Sequence, residues 1–256
     1  MDSNRISRWI VRVNVYGTLQ CQRRPPVPHT SSAHCSIPGE VCIIAFKAHR
    51  LSIHTLRRNA MPKINMLTLK ITLDRTKPAV WRTIVVREDL PLTQLHDRIQ
   101  GAMGWFDSHL HLFVIKGKEY VDYQIWDDED RMADENRMTL KKAKLAVGDT
   151  FSYLYDMGDY WSHTVEVLER TSVPAERAGS WVLDGANACP PEDVGGVHGY
   201  EEFIIAMADP NDEHHQQFRT WFGRDFDPTS FDVRPARRIV MMLDHFGPGY
   251  PWADRA

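Results

Sequence analysis

Phe151–Glu169, FSYLYDMGDYWSHTVEVLE, is the stretch whose reading decides the fold. Phe151, Tyr153 and Tyr155 alternate with Ser152 and Leu154, which predicts a strand with one aromatic face. Thr164, Val165, Val167 and Leu168 predict a second strand, because β-branched side chains pack well on a pleated surface. Between them Asp156-Met157-Gly158-Asp159-Tyr160-Trp161-Ser162-His163 predicts a tight connection, with Gly158 supplying the positive φ that a short hairpin loop needs. One hairpin end therefore gathers the carboxylates of Asp156 and Asp159, the Trp161 indole and the His163 imidazole. Such an end is either a working site or a hydrogen-bonded corner in which Asp side chains satisfy their own loop and Tyr160 and Trp161 cover the core. Residue type leaves both readings open.

A second dense stretch lies outward from the hairpin at Ala188–Tyr200, ACPPEDVGGVHGY. Pro190-Pro191 stiffens its entry, and Gly195, Gly196 and Gly199 allow tight turns before a helix. Cys189, Glu192, Asp193 and His198 bring further polar atoms. If the two stretches meet, Asp156, Asp159, Trp161, His163, Cys189, Glu192, Asp193 and Tyr200, joined by His109, form one rim for a ligand or a divalent metal ion. Asp159, His163 and Glu192 are the candidate metal ligands, since mixed carboxylate and imidazole sets suit zinc, manganese or iron. A nucleophilic Cys189 would need His198 or His163 as its base. Aromatic rings beside acids also suit a cationic or amide-bearing partner in a pocket between the loops.

Upstream, Ile64–Leu73 predicts a long strand with Leu67, Leu69, Ile71 and Leu73 on one face. Asp74–Pro78 reads as a turn, and Val80–Val86 as an antiparallel partner strand. Leu92, Leu95, Ile99 and Met103 recur at helical spacing before a stop at Gly104, and His96 reads as a helix-surface or satisfied polar residue. Trp105–Ile115 predicts a third strand in which His109 and His111, two apart, share a face, an arrangement that a metal site can use. Tyr120–Trp126 predicts a fourth strand. Asp127–Asn136 reads as a solvated acidic loop without the spacing of an EF-hand, and Thr139–Leu145 as a short helix. Arg170–Ala188 reads as irregular.

From Tyr200 the period changes: Tyr200, Phe203, Ile204 and Met207 lie at i, i+3, i+4 and i+7. A second helix capped by Asn211 carries Phe218, Trp221 and Phe222. A last one starts near Pro235 and buries Ala236, Ile239, Val240, Leu243 and Phe246. Strands early and helices late give an α+β order.

The chain has 256 residues, 43% of them hydrophobic, and a net charge of −3, enough for one sizeable core. The charge is unevenly placed. Residues 1–60 hold nine Lys/Arg against Asp2 and Glu40, which leaves 22 basic and 32 acidic side chains for the rest, a balance of −10. An acidic folded part is not expected to bind nucleic acid directly, because that affinity comes largely from Lys and Arg displacing counterions. The basic leader, with its Pro/Ser/His run QRRPPVPHTSSAH, is expected to be disordered or weakly structured, and Met61 to be the natural start. A nucleic-acid-binding arm and a transit peptide are the alternatives for it. The four cysteines, Cys21, Cys35, Cys42 and Cys189, form no CxxC pair, which argues against a disulfide framework and a four-thiolate zinc site. No apolar run approaches the ~20 residues that span a bilayer. Arg5, Arg8 and Arg12 interrupt any secretory signal, so no membrane association and a cytoplasmic location are expected.

Three motifs in order, GWFDSHLHLF, YDMGDYWSHTVEVLE and ACPPEDVGGVHGYEEF, resemble the plasmid pRiA4b ORF-three-like family over roughly Ile64 to Phe246. The resemblance implies an α+β, β-grasp-like domain over 61–250: an antiparallel or mixed sheet, one crossing helix and a C-terminal helical segment. The family includes passenger proteins of an insertion sequence that carry a resolvase label, which implies an association with mobile elements. The residues do not supply strand exchange. Arg234, Arg237 and Arg238 cluster on the last helix, but no basic helix-turn-helix follows. The resulting expectation is a non-catalytic binding or accessory module contacting a protein or a mobile-element complex. The alternative is a metal-dependent, hydrolase-like enzyme built on Asp156, Asp159, His163 and Glu192 or Asp193.

Overall fold

The computed structural model describes residues 10–13, 19–22, 62–123 and 132–246. Within the leader, β1 (Ile10–Val13) and β2 (Leu19–Gln22) pair antiparallel in a unit of their own. The Pro/Ser/His run and Met61 lie outside the described residues.

The second unit is built on an eight-stranded sheet. Its strands are β3 (Lys63–Leu73), β4 (Trp81–Arg87), β5 (His111–Ile115), β6 (Lys118–Val121), β7 (Ala133–Asp134), β8 (Thr150–Tyr155), β9 (Trp161–Pro174) and β10 (Trp181–Ala186). Their order is β10-β4-β3-β9-β8-β5-β6-β7. Every pair is antiparallel except β6 with β7. The short connections β3–β4, β5–β6 and β8–β9 can only reverse the chain, whereas β3–β9, β4–β10 and β5–β8 pair across long stretches of sequence.

The long central pair β3–β9 runs from Lys63 opposite Pro174 to Leu73 opposite His163, with one shift of register between Thr68 and Leu69. Leu67, Leu69, Ile71 and Leu73 are all buried, as their alternation predicts. Opposite them β9 buries Trp161, His163, Val165 and Val167, one residue in two. Because β9 continues to Pro174 and β10 adds an edge strand, the stretch expected to be irregular is largely sheet. The bulge between Val182 and Asp184 marks that edge.

Helix α1 (Leu92–Met103) buries Leu92, Leu95, Ile99 and Met103, touches β4 and ends at Gly104 in the left-handed region, φ 95°. Helix α2 (Leu140–Ala143) is capped by the Thr139 side chain. Helices α3 (Gly196–Ala208), α4 (His215–Phe222) and α5 (Val233–Phe246) complete the described chain. Helix α5 lies against α1 and β10, held by Arg98 Nη2 to Asp244 at 2.7 Å and Arg237 Nε to the Val182 carbonyl at 2.7 Å. The α+β order therefore holds, and no described helix is long and apolar enough to cross a membrane.

Several local expectations are corrected. The strand expected from Trp105 begins only at His111, because 105–110 turn away to meet other loops. The strand expected from Tyr120 to Trp126 ends at Val121. Much of the acidic loop lies outside the described residues, but Glu135 at its end is fully buried rather than solvated. Helix α4 is capped at His214, not Asn211, and Phe246 is exposed at the end of α5. In the hairpin loop the positive φ values fall on Asp156 (60°) and Tyr160 (58°), not on Gly158. Asp tolerates that region because its side chain bonds the amides that follow.

Candidate functional site

The hairpin loop and the 188–199 loop meet at one rim. Asp156 Oδ1 accepts from the amides of Gly158 (2.8 Å) and Asp159 (3.2 Å), which closes the hairpin end on itself. Asp159 Oδ2 accepts from the Gly195 amide across the junction at 3.1 Å. A Cβ on Gly196 would lie 2.5 Å from the Asp159 carbonyl oxygen, so only glycine permits that approach. Glu192 Oε1 accepts from the Phe106 amide (2.8 Å) and the Tyr155 hydroxyl (2.7 Å), and Trp105 Nε1 donates to the Pro190 carbonyl at 3.0 Å. His109 Nε2 lies 2.9 Å from Asp193 Oδ1 and 3.6 Å from Asp156 Oδ2. These carboxylates sit off the ring's hydrogen-bonding direction, so proximity rather than a directed bond holds the imidazole there.

Arg82 fastens this junction from below. Its buried guanidinium donates to the carbonyls of Ala102, Trp81, Ala186 and Asn187, and it lies 3.8 Å over the Phe231 ring. One planar cation so ties the end of α1, β4, β10 and the 188-loop entry together.

Not every expected rim residue is at the rim. His163 is fully buried: its Nδ1 meets the Tyr153 carbonyl at 3.2 Å and its ring packs edge-on against Trp105 at 5.4 Å. Burial holds it down at about 4. The alternation of β9 requires this, because His163 shares a face with Trp161, Val165 and Val167. Trp161 is buried in the core, whereas Tyr160, expected to cover the core, is exposed. Asp159, His163 and Glu192 consequently do not converge on one point. Among the described residues the His, Asp and Glu groups close enough for shared coordination are His109 with Asp156 and Asp193, and His96 with Asp107 and His111.

Cys189 is not an activated nucleophile. Burial pushes its thiol up to about 12, with neighbouring Arg82 offsetting only part of that. His198 cannot serve it as a base, since its exposed side chain instead faces Glu202 at 3.4 Å, one turn along α3. Tyr200 is buried and donates to the Ala188 carbonyl at 3.2 Å.

His109 and His111 do not share a face, because His109 precedes the strand. His111 instead enters a buried polar cluster beneath α1. Its Nε2 lies 3.0 and 3.1 Å from the two oxygens of Glu135, and its ring stacks on His96 at 3.5 Å with an interplanar angle of 7°. His96 Nδ1 is 2.8 Å from the Tyr153 hydroxyl and its Nε2 is 2.7 Å from Asp107 Oδ1. Gln100 Nε2 also donates to the Tyr153 hydroxyl at 3.0 Å. Burial, and then the neighbouring His111, holds His96 down at about 4. His96 is thus a buried member of a network and not a helix-surface residue. Its position four residues after Leu92 and three before Ile99 places it on the apolar stripe of α1, a signal present in the sequence. Asp107 and Glu135 carry no such signal.

A groove of about 740 Å³ runs between the C-terminal end of α1, the 188–193 loop and the segment 221–239. Phe106 and Trp221 expose half of their surface at it (47% and 48%), and five carboxylates line it: Glu192, Asp193, Asp225, Asp227 and Asp232.

The family of plasmid pRiA4b ORF-3-like proteins matches residues 65–235. An uncharacterized protein of Sinorhizobium fredii, y4hQ, is 40% identical over 180 residues, covering 69% of this chain and 91% of the relative. The crystal structure of a protein of unknown function from Methanosarcina mazei, MM3350, aligns with a TM-score of 0.60 at 29% identity over 67% of this chain and 97% of that one. With the match spanning most of the second unit and all of the rim, the chain belongs to the plasmid pRiA4b ORF-3-like family.

Proposed function

We propose that the domain is a non-catalytic binding module that takes a cationic, extended segment of a protein partner in the groove beside the loop junction. One observation carries this reading: two exposed aromatic rings and five carboxylates line a single groove against two arginines, Arg82 and Arg224. Asp225 and Asp232 are paired with Arg219 and Arg234, which leaves Glu192, Asp193 and Asp227 as the lining's carboxylates without an arginine partner beside the charges of Arg82 and Arg224. Aromatic faces beside carboxylates attract Lys and Arg side chains, and a charge-complementary groove gains association rate and specificity together. The corner carboxylates support a binding role over a catalytic one, since Asp156, Asp159 and Glu192 each hold backbone amides in place. An accessory position in a mobile-element complex is one setting in which such a partner would be met.

The test is titration of the protein with a library of short Lys/Arg-containing peptides, followed through the Trp indole NH signals. Saturable shifts at Trp221 and Trp105 are expected. Phe106→Ala and Trp221→Ala remove exposed rings without opening the core, and each is expected to weaken binding about tenfold. Peptide binding untouched by both substitutions, or none at low salt, would overturn the reading.

A further inference from the structure

We propose that His109, Asp156 and Asp193 form a binding site for a divalent transition-metal ion of the zinc type, where the hairpin end meets the 188–199 loop. One nitrogen of the His109 ring and one oxygen of each carboxylate all lie within 4.8 Å of one another. One imidazole with two carboxylates is a donor set that zinc and manganese accept, whereas magnesium and calcium take oxygen ligands. Three protein ligands leave a coordination position open to water or to a group of a bound partner.

The His109 nitrogen carries the inference. Its Nε2 is buried and has no hydrogen-bond partner, although the side chain as a whole is 29% exposed. Buried ring nitrogens are ordinarily paired, because water lost on folding must be replaced. The two carboxylates approach this same atom, Asp193 Oδ1 at 2.9 Å and Asp156 Oδ2 at 3.6 Å. Asp193 Oδ1 is near enough for a hydrogen bond but lies to the side of the direction in which the ring makes one. Asp156 Oδ2 is too distant for one. A shared ion explains both features. The ion, not an oxygen, then occupies the nitrogen's in-plane axis, and the other ligands stand to its side. Metal–ligand bonds of about 2.0–2.2 Å at roughly 90–110° to one another set neighbouring donor atoms roughly 2.8–3.5 Å apart. The Asp193 separation falls inside that range and the Asp156 separation at its upper edge.

Charge points the same way. The oxygens of Asp156 and Asp193 lie within 4.8 Å of each other and repel. A single ring proton balances one of those charges, and a dication balances both. The ligands are also held from behind. Buried Asp156 uses Oδ1 for the amides of Gly158 and Asp159, and its own amide donates to the Leu110 carbonyl at 2.9 Å, next to His109 in the chain. On the other side of His109 the Ser108 amide donates to the Tyr155 hydroxyl at 3.0 Å. Glu192, bonded to the Phe106 amide and the Tyr155 hydroxyl, fixes the approach to Asp193. Outer hydrogen bonds of this kind orient ligands for an ion. The Asp193 side chain, 68% exposed, marks the entry.

The experiment uses the full chain, stripped with a chelator and titrated with Zn²⁺ by calorimetry while the histidine ring nitrogens are followed by NMR. The His109 Nε2 signal is expected to reach a metal-bound position at one equivalent. Asp193→Asn, at the exposed side of the site, and His109→Gln are each expected to weaken binding at least about tenfold with unchanged circular dichroism. His198→Gln removes an exposed ring outside the group and is expected to leave binding as it is. No uptake by the folded wild-type chain, or uptake with the His109 signal unmoved, would overturn the proposal. So would undiminished binding in Asp193→Asn. Asp193 also lines the groove, so peptide binding is read through Phe106→Ala and Trp221→Ala, which remove no metal ligand, and either reading can fail without the other.

Discussion

At the hairpin corner, carboxylates meet backbone. Asp156 takes the amides of its own loop, Asp159 takes Gly195, and Glu192 takes Phe106. Beneath α1, polar side chains meet one another: His96 with Tyr153 and Asp107, His111 with Glu135. The corner lies at the surface and its acceptors are used to position loops. The cluster lies in the core, and one of its ring nitrogens, on His111, is left without a partner. A carboxylate that saturates amides is explained by the fold it holds together. A buried nitrogen without a partner is not, because an unpaired polar atom in a low-dielectric interior costs stability that nothing in the fold returns. The corner holds one such nitrogen as well, His109 Nε2, so the two groups differ in what their carboxylates hold: backbone amides at the corner, side chains beneath α1.

The largest expected effect comes from breaking the cluster side. Glu135 is fully buried and accepts from His111 on both oxygens. Glu135→Ala leaves a cavity and strips His111 of its remaining partner, at a cost of about 4 kcal/mol. Glu135→Gln keeps the volume and one acceptor, and costs about 1 kcal/mol. Urea denaturation read at equilibrium separates them. Equal losses in the two variants would mean that the His111 contact contributes nothing beyond packing.

The reason the sequence favoured the corner over the cluster is local. Asp156, Asp159 and His163 stand within eight residues, so their density is visible in the chain itself. The order of strands and helices, the aromatic face of β8, the inward face of β3 and the stop of α1 at Gly104 were legible for the same reason, since each follows from spacing along one element. His163 could have been removed from the rim by the same logic, as the alternation of β9 puts it beside Trp161 and Val165. The cluster draws His96, Asp107, His111, Glu135 and Tyr153 from α1, a turn, β5, a distal loop and β8. Only the sheet order β8-β5-β6-β7 brings them together. Long-range pairing has no period in the sequence. Glu135 looked like one more acid in an acidic run because nothing local distinguishes the one that turns inward.

His163 lies between the two regions and gives a pH-dependent handle on the core that separates them. Burial holds its imidazole at about 4 against an ordinary 6.5. Between those values the unfolded chain binds a proton that the native chain refuses. Stability therefore falls as pH drops from about 6.5 to about 4 and then levels, with a span of roughly 3 kcal/mol. His163→Leu removes the titration and the unpaired Nε2, so its loss of stability over that window is expected to be smaller by that amount. His96, also held at about 4, and Asp97, pushed up to about 7 with the opposite sign, are present in both proteins and cancel in the difference. Thermal midpoints from pH 7 down to about pH 4 supply the measurement. Parallel profiles for the two proteins would show that His163 takes up its proton as readily when folded.

The smallest effect tests the corner itself. Asp159 Oδ2 accepts one amide, Gly195, at a partly exposed position. Loss of a single exposed acceptor of this type costs about 1 kcal/mol. The same loss frees the loop that carries Glu192 and Asp193 into the groove. Asp159→Ala is therefore expected to lower the urea midpoint slightly and to raise hydrogen exchange at Gly195 and Gly196 well above that of β8. Asp159→Asn retains an acceptor and is expected to restore most of the protection. If the loop amides stayed protected in Asp159→Ala, the Asp159 carboxylate would not be what fastens the 188–199 loop to the hairpin.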